Sequence, residues 1–148
     1  MLFLPFIDQQ WMVPKFKPYS YRKMLWIGLL FSIILILIAN PQKSSFILYT
    51  LLLVALPEEW FFRGYFMQRV ELIGISKLRA NIITSAFFAI LHVPAQGVFG
   101  MSVFVPSLVL GWLYQLRQDM VLIILIHALS NLVYLLYFEK VVHNILYN

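Results

Sequence analysis

Five long apolar stretches can be read along the chain, Met24–Ala39, Phe46–Met67, Ala80–Val93, Gly100–Leu116 and Met120–Phe138. Each holds about 15–22 residues, against the roughly 20 that carry a helix across the hydrocarbon core of a bilayer. The pattern predicts an all-α, polytopic membrane helical bundle of about five transmembrane helices. The third stretch is the shortest, and its end is expected at Val93-Pro94 and Gly97, because proline disfavours helix at the residue before it. Residues 1–23, rich in aromatics and with three prolines, read as an interfacial N-terminal arm. They lead into a single membrane domain over 24–148, with its polar motifs inside 46–138. The opening residues carry no basic n-region and no small-residue cleavage site follows, so no signal peptide is expected.

The polar positions that interrupt these stretches are few. Glu58, Glu59 and Arg63 lie inside the second. A charge near the bilayer centre costs about 2.5–3.5 kcal/mol even on the lenient insertion scale, so three of them need compensation. Glu59 and Arg63 are four apart and share a helix face, so they are expected to pair, whereas Glu58 points about 100° away and is left for another partner. A buried ion pair that merely locks helices would explain one glutamate and leave the other unexplained. Pro57, just before them, removes a backbone hydrogen bond and is expected to bend the helix about four residues upstream. His92 lies four residues after Phe88, so the two share a helix face. His127 and Asn131, again four apart, present an imidazole and an amide on one face of the last helix. Each of these could be a simple packing hydrogen bond; His143, in the polar tail, reads as solvent-exposed and without a role.

Composition agrees with a bilayer environment. Of 148 residues, 62% are hydrophobic and 11% charged, where a soluble domain carries about 25% charged residues. The formal charge of +5 does not indicate nucleic acid, because the basic residues sit between apolar segments rather than on one amphipathic helix. They report orientation instead. With a cytoplasmic N-terminus, that side holds Lys15, Lys17, Arg22, Lys23, Arg69, Lys77, Arg79 and Arg117, and the other holds Lys43 and Lys140. At about 1.5 Å rise per residue, Glu59, His92, His127 and Asn131 then fall in one layer roughly 10–18 Å above the cytoplasmic boundary. The chain has no cysteine, which excludes a thiol nucleophile and disulfides.

Carboxylates can activate water, a histidine beside one can serve as acid or base, and convergent donors can hold an oxyanion. That set suits peptide-bond hydrolysis. The other hydrolytic motifs are missing: there is no HExxH helix and no GxSxG elbow, and Gly100-Met101-Ser102 is too short a match to indicate a serine nucleophile. Two further readings compete. A non-catalytic membrane immunity or assembly protein would use the polar layer only to lock helices. A channel or proton relay would string polar residues across the full depth rather than collect them in one layer.

Three motifs in order carry a resemblance. Glu58-Glu59-Trp60-Phe61-Phe62-Arg63 matches EExxxR, Phe88-Ala89-Ile90-Leu91-His92 matches FxxxH, and His127-Ala128-Leu129-Ser130-Asn131 matches HxxxN. The chain thereby resembles the CAAX protease and bacteriocin-processing family over about Phe46 to Phe138, related to the type II CAAX prenyl endopeptidases. The resemblance implies an intramembrane endopeptidase in which Glu58 and His92 activate water, Glu59 and Arg63 support the site, and His127 with Asn131 form the oxyanion hole. It implies a membrane-anchored protein or peptide substrate (CAAX-type, C-terminal sorting or leader processing), a prokaryotic plasma membrane, and a site nearer the cytoplasmic face. No cofactor is expected. Two histidines and a glutamate could ligate zinc in principle, but the Glu-Glu-Arg cluster would place an adverse cation nearby. Many family members carry more spans than the five read here, which leaves substrate choice open.

Overall fold

A computed structural model describes residues 4–8 and 20–138. Lys15, Lys17, Lys140, His143 and most of the expected N-terminal arm lie outside the described residues. Among those described there is no strand, and the elements are all helical. They are α1 (Leu4–Ile7), α2 (Ser20–Ala39), α3 (Ser44–Leu72), α4 (Lys77–Gln96), α5 (Phe104–Arg117) and α6 (Met120–Val133), the last continued by a π turn at Tyr134–Phe138. Two helical runs are long and apolar enough to cross a membrane, Ser44–Leu72 and Lys77–Arg117, of 29 and 41 residues.

The longer run folds back on itself. Gly97, with φ of +62°, ends α4 in a conformation that costs a residue without Cβ little. A 3-10 turn, Gly97–Val103, then leads into α5. Asn81 near the start of α4 donates from Nδ2 to the Leu108 carbonyl at 2.9 Å. At the other end, the Gly97–Val103 turn packs onto the backbone of His92. The two helices are therefore an antiparallel hairpin. The end expected at Val93-Pro94 and Gly97 falls at Gln96, with Gly97 as the cap. Pro94 sits in the last turn, where it forfeits a single bond, and the Gly97 N–H still closes onto the Val93 carbonyl.

The helix that carries the glutamates departs from α geometry twice. Proline at position 57 offers no N–H to the preceding turn. Instead of breaking, α3 widens into a π turn over Thr50–Ala55, closed by Leu56 N–H on the Leu51 carbonyl. A second π turn, Phe62–Phe66, is closed by Met67 N–H on Phe62. Glu58 and Glu59 occupy the short α-helical stretch Leu56–Phe61 between the two. Such π turns recur at functional sites because the extra residue re-aims side chains.

The chain divides into two compact units. One holds residues 4–8 and 57–123, and the other holds 20–56 and 124–138. In the first, Phe61, Phe62 and Phe88 form an aromatic core with Tyr65, Phe66 and Val103 against it. Its burial pattern is inverted relative to a water-soluble domain. Glu59, Arg63, Asn81, Thr84, Ser85 and Ser107 are buried, while Ile82, Ile90, Val105, Val109 and Trp112 are exposed. Apolar residues outside and polar residues inside, most of them hydrogen-bonded, are what a lipid solvent selects. In the second unit, α2 exposes Ile27, Phe31 and Ile38, and α6 buries Ile124, Leu125, Ala128 and Leu132.

Candidate active site

Arg63 is fully buried, and its two terminal nitrogens are directed at two helices. Nη1 donates to Glu59 Oε1 at 2.9 Å, the pairing that the four-residue spacing predicts. Nη2 donates to Ser107 on α5, at 2.7 Å to the hydroxyl and 3.0 Å to the carbonyl. The guanidinium carbon also lies 5.1 Å from the centroid of the Phe88 ring, within cation–π range. A buried ion pair recovers its desolvation cost only when further hydrogen bonds satisfy it. Ser107 supplies them, and sequence reasoning missed it. The signal available was a hydroxyl inside an apolar stretch, immediately after Pro106 in the first turn of α5, but a membrane-helix serine commonly bonds its own preceding turn and draws no notice.

Glu58 faces a different partner. His92 Nε2 lies 4.0 Å from Glu58 Oε1, and each side chain is roughly a quarter exposed, at 22% and 24%. That separation is not a hydrogen bond. The other ring nitrogen, Nδ1, is 2.8 Å from the Phe88 carbonyl. A carbonyl only accepts, so Nδ1 carries the proton and Nε2 of the neutral ring is an acceptor turned toward the carboxylate. The imidazole also packs on the Phe88 ring, centroids 4.4 Å apart. Phe88 is held in turn by an edge-to-face contact with Phe62 at 4.8 Å. One phenylalanine thus touches the guanidinium of Arg63 and orients the imidazole of His92.

Four of the six residues singled out in the sequence, Glu58, Glu59, Arg63 and His92, are brought together in the first unit. His127 and Asn131 belong to the second, on α6 and one turn apart. His127 is buried and Asn131 partly so. Ser130, next to Asn131, back-bonds to the Ile126 carbonyl at 2.8 Å. Ser102, the one hydroxyl in the Gly-Met-Ser sequence, donates to Phe99 and is exposed.

Two acceptors about 4 Å apart are spaced for one water that donates an O–H to each, since two bonds of about 2.8 Å span roughly that distance. Zinc needs three or four convergent donors. Among the described residues no three His, Asp or Glu side chains group in that way. Glu59 is also already engaged by a guanidinium. Glu58 and His92 by themselves offer an ion two donors.

Along the same helix, α1 approaches from the N-terminal side. Phe6 stacks on Trp60 with centroids 6.1 Å apart, and Asp8 pairs with Arg69 at 2.7 Å.

The family model described as type II CAAX prenyl endopeptidase Rce1-like matches residues 40–133, more than half of the chain. The match spans all three motifs from Glu58 to Asn131. Searches of curated proteins and of solved structures each found no significant match.

Proposed function

This chain belongs to the type II CAAX prenyl endopeptidase Rce1-like family, an integral membrane protease family, and on that premise we propose that it hydrolyses a peptide bond in a membrane-anchored protein or peptide. The observation that carries the reading is the approach of Glu58 Oε1 and His92 Nε2 to 4.0 Å with the histidine tautomer set by Phe88. A water held by both acceptors has its lone pairs turned away from them, toward a substrate carbonyl.

In this scheme Glu58 takes one proton from the water as its oxygen bonds to the carbonyl carbon. His92 Nε2 holds the second O–H. Collapse of the tetrahedral intermediate breaks the C–N bond, and the proton on Glu58 passes to the departing amine. Such proton transfer contributes about 10²–10⁴-fold in rate. Glu59 and Arg63 keep the adjoining turn of α3 in place. His127 and Asn131 are assigned the oxyanion by their match to the family motif and by their donor chemistry. No metal takes part in any step.

We extend the reading to the membrane. Five spans with a cytoplasmic N-terminus, an interfacial arm and one membrane domain follow from the apolar stretches and the Lys and Arg bias. The active site then lies nearer the cytoplasmic face of a prokaryotic plasma membrane. The test is cleavage of a reporter peptide ending in a farnesylated CAAX sequence by the purified chain in proteoliposomes, beside the same peptide without the lipid. Cleavage of either supports a protease, and preference between them reports whether the lipid is recognised. Neither being cut, nor any membrane-anchored tail or leader peptide, would overturn the reading.

A further inference from the structure

Gly100 lies in the turn between α4 and α5 and has no place in the three motifs. It is buried, although its neighbours Val98, Phe99 and Met101 are exposed. A Cβ built at this position would come 2.6 Å from the carbonyl carbon of His92, 2.8 Å from its oxygen and 2.8 Å from the nitrogen of Val93. All three are backbone atoms, which cannot swing aside as a side chain can. The turn therefore rests directly on the peptide unit that follows His92, and only a residue without Cβ permits that contact.

The consequence reaches the imidazole. His92 is held from its ring side by the Phe88 carbonyl at 2.8 Å and the Phe88 ring at 4.4 Å. Gly100 backs the same residue from its main-chain side. We infer that Gly100 is a positioning residue, which by carrying no side chain lets the Gly97–Val103 turn close on the His92 backbone and keep Nε2 turned toward Glu58. The role in turnover rests on the protease reading above; the role in orienting the imidazole does not. A misplacement of about 1 Å in a reacting group costs on the order of 10²-fold in rate.

The experiment compares Gly100→Ala with Gly74→Ala in the full chain. Gly74 has φ of +89° and nothing within 4 Å, so alanine there strains a distant turn without touching His92. Two readouts are taken. With the farnesylated reporter, Gly100→Ala is expected to lower kcat by about 10–100-fold and to leave KM within about twofold, while Gly74→Ala loses thermal stability and keeps its kcat. By ¹⁵N NMR of histidine-labelled protein in micelles, the neutral His92 ring is expected as the Nδ1–H tautomer in the wild type and in Gly74→Ala. In Gly100→Ala it is expected to move toward the Nε2–H form. Should Gly100→Ala fail to fold, one glycine inserted after Ser102 withdraws the backing without adding bulk and is expected to change both readouts in the same way. A variant that folds and keeps either its kcat or its tautomer at the wild-type value overturns the inference. If the wild type cleaves no reporter, the protease reading fails, and the tautomer alone decides the positioning.

Discussion

Arg63 and Ser107, 44 positions apart in sequence, are joined through one guanidinium nitrogen that donates to both the hydroxyl and the carbonyl of the serine. The other terminal nitrogen goes to Glu59. Because the guanidinium is wholly buried, each lost acceptor exposes the desolvation cost of a charged donor. Ser107→Ala removes the 2.7 Å bond and leaves the carbonyl. It is expected to destabilise the protein by about 1–3 kcal/mol, measured as a fall in Tm in detergent. Arg63→Lys is expected to be worse, since an ammonium has no planar fork to reach Glu59 and Ser107 together.

Glu59→Gln removes the countercharge and keeps the shape. Breaking one side of a buried ion pair costs about 3–5 kcal/mol, so this variant is expected to accumulate poorly and to melt well below the wild type. A yield and Tm equal to the wild type would show that the guanidinium draws its compensation from elsewhere.

A third prediction concerns the hairpin of α4 and α5. A Cβ on Gly111 would overlap the Asn81 side-chain amide, which is itself bonded to the Leu108 carbonyl at 2.9 Å. Gly111→Ala is expected to push the Asn81 amide off the Leu108 carbonyl and so to cost about as much as Asn81→Ala, about 1–3 kcal/mol. The double variant should lose less than the sum, because removing the amide makes room for the methyl group. Additive losses in the thermal melts would contradict this contact.

These sites show what could and could not be read from the chain alone. The Glu59–Arg63 pair was legible because helix periodicity is local, and Glu58 and His92 stood out because polar groups are costly in lipid. The apolar stretches located the helices, but α3 extends to Leu72 and contains two π turns. A 3.6-residue period cannot register those, since each adds a residue per turn without changing composition. Ser107 and Asn81 stayed hidden for another reason. A hydroxyl or amide in an apolar helix is ordinary until a partner that needs it is known, and the partners of these two lie 44 and 27 positions away. Gly100 was weighed only as part of a possible serine elbow; its contact with His92 depends on the fold-back of the chain.

Metal removal gives a fourth prediction. In the proposed reaction Glu58 and His92, rather than an ion, hold the water, so cleavage of the farnesylated reporter is expected to be unchanged after dialysis against a strong chelator. Loss of cleavage on chelation, restored by added zinc, would show that the site recruits a metal.

In the proposed reaction it is Glu58, rather than its neighbour, that activates the water. The most direct measurement is kcat and Tm of Glu58→Gln with the farnesylated reporter in proteoliposomes. The expected result is a fall in kcat of about 10²–10⁴-fold, with KM close to the wild type and a smaller loss of Tm than in Glu59→Gln, because Glu58 is partly exposed whereas Glu59 is buried against Arg63. Cleavage at the wild-type rate by a folded Glu58→Gln chain would contradict it.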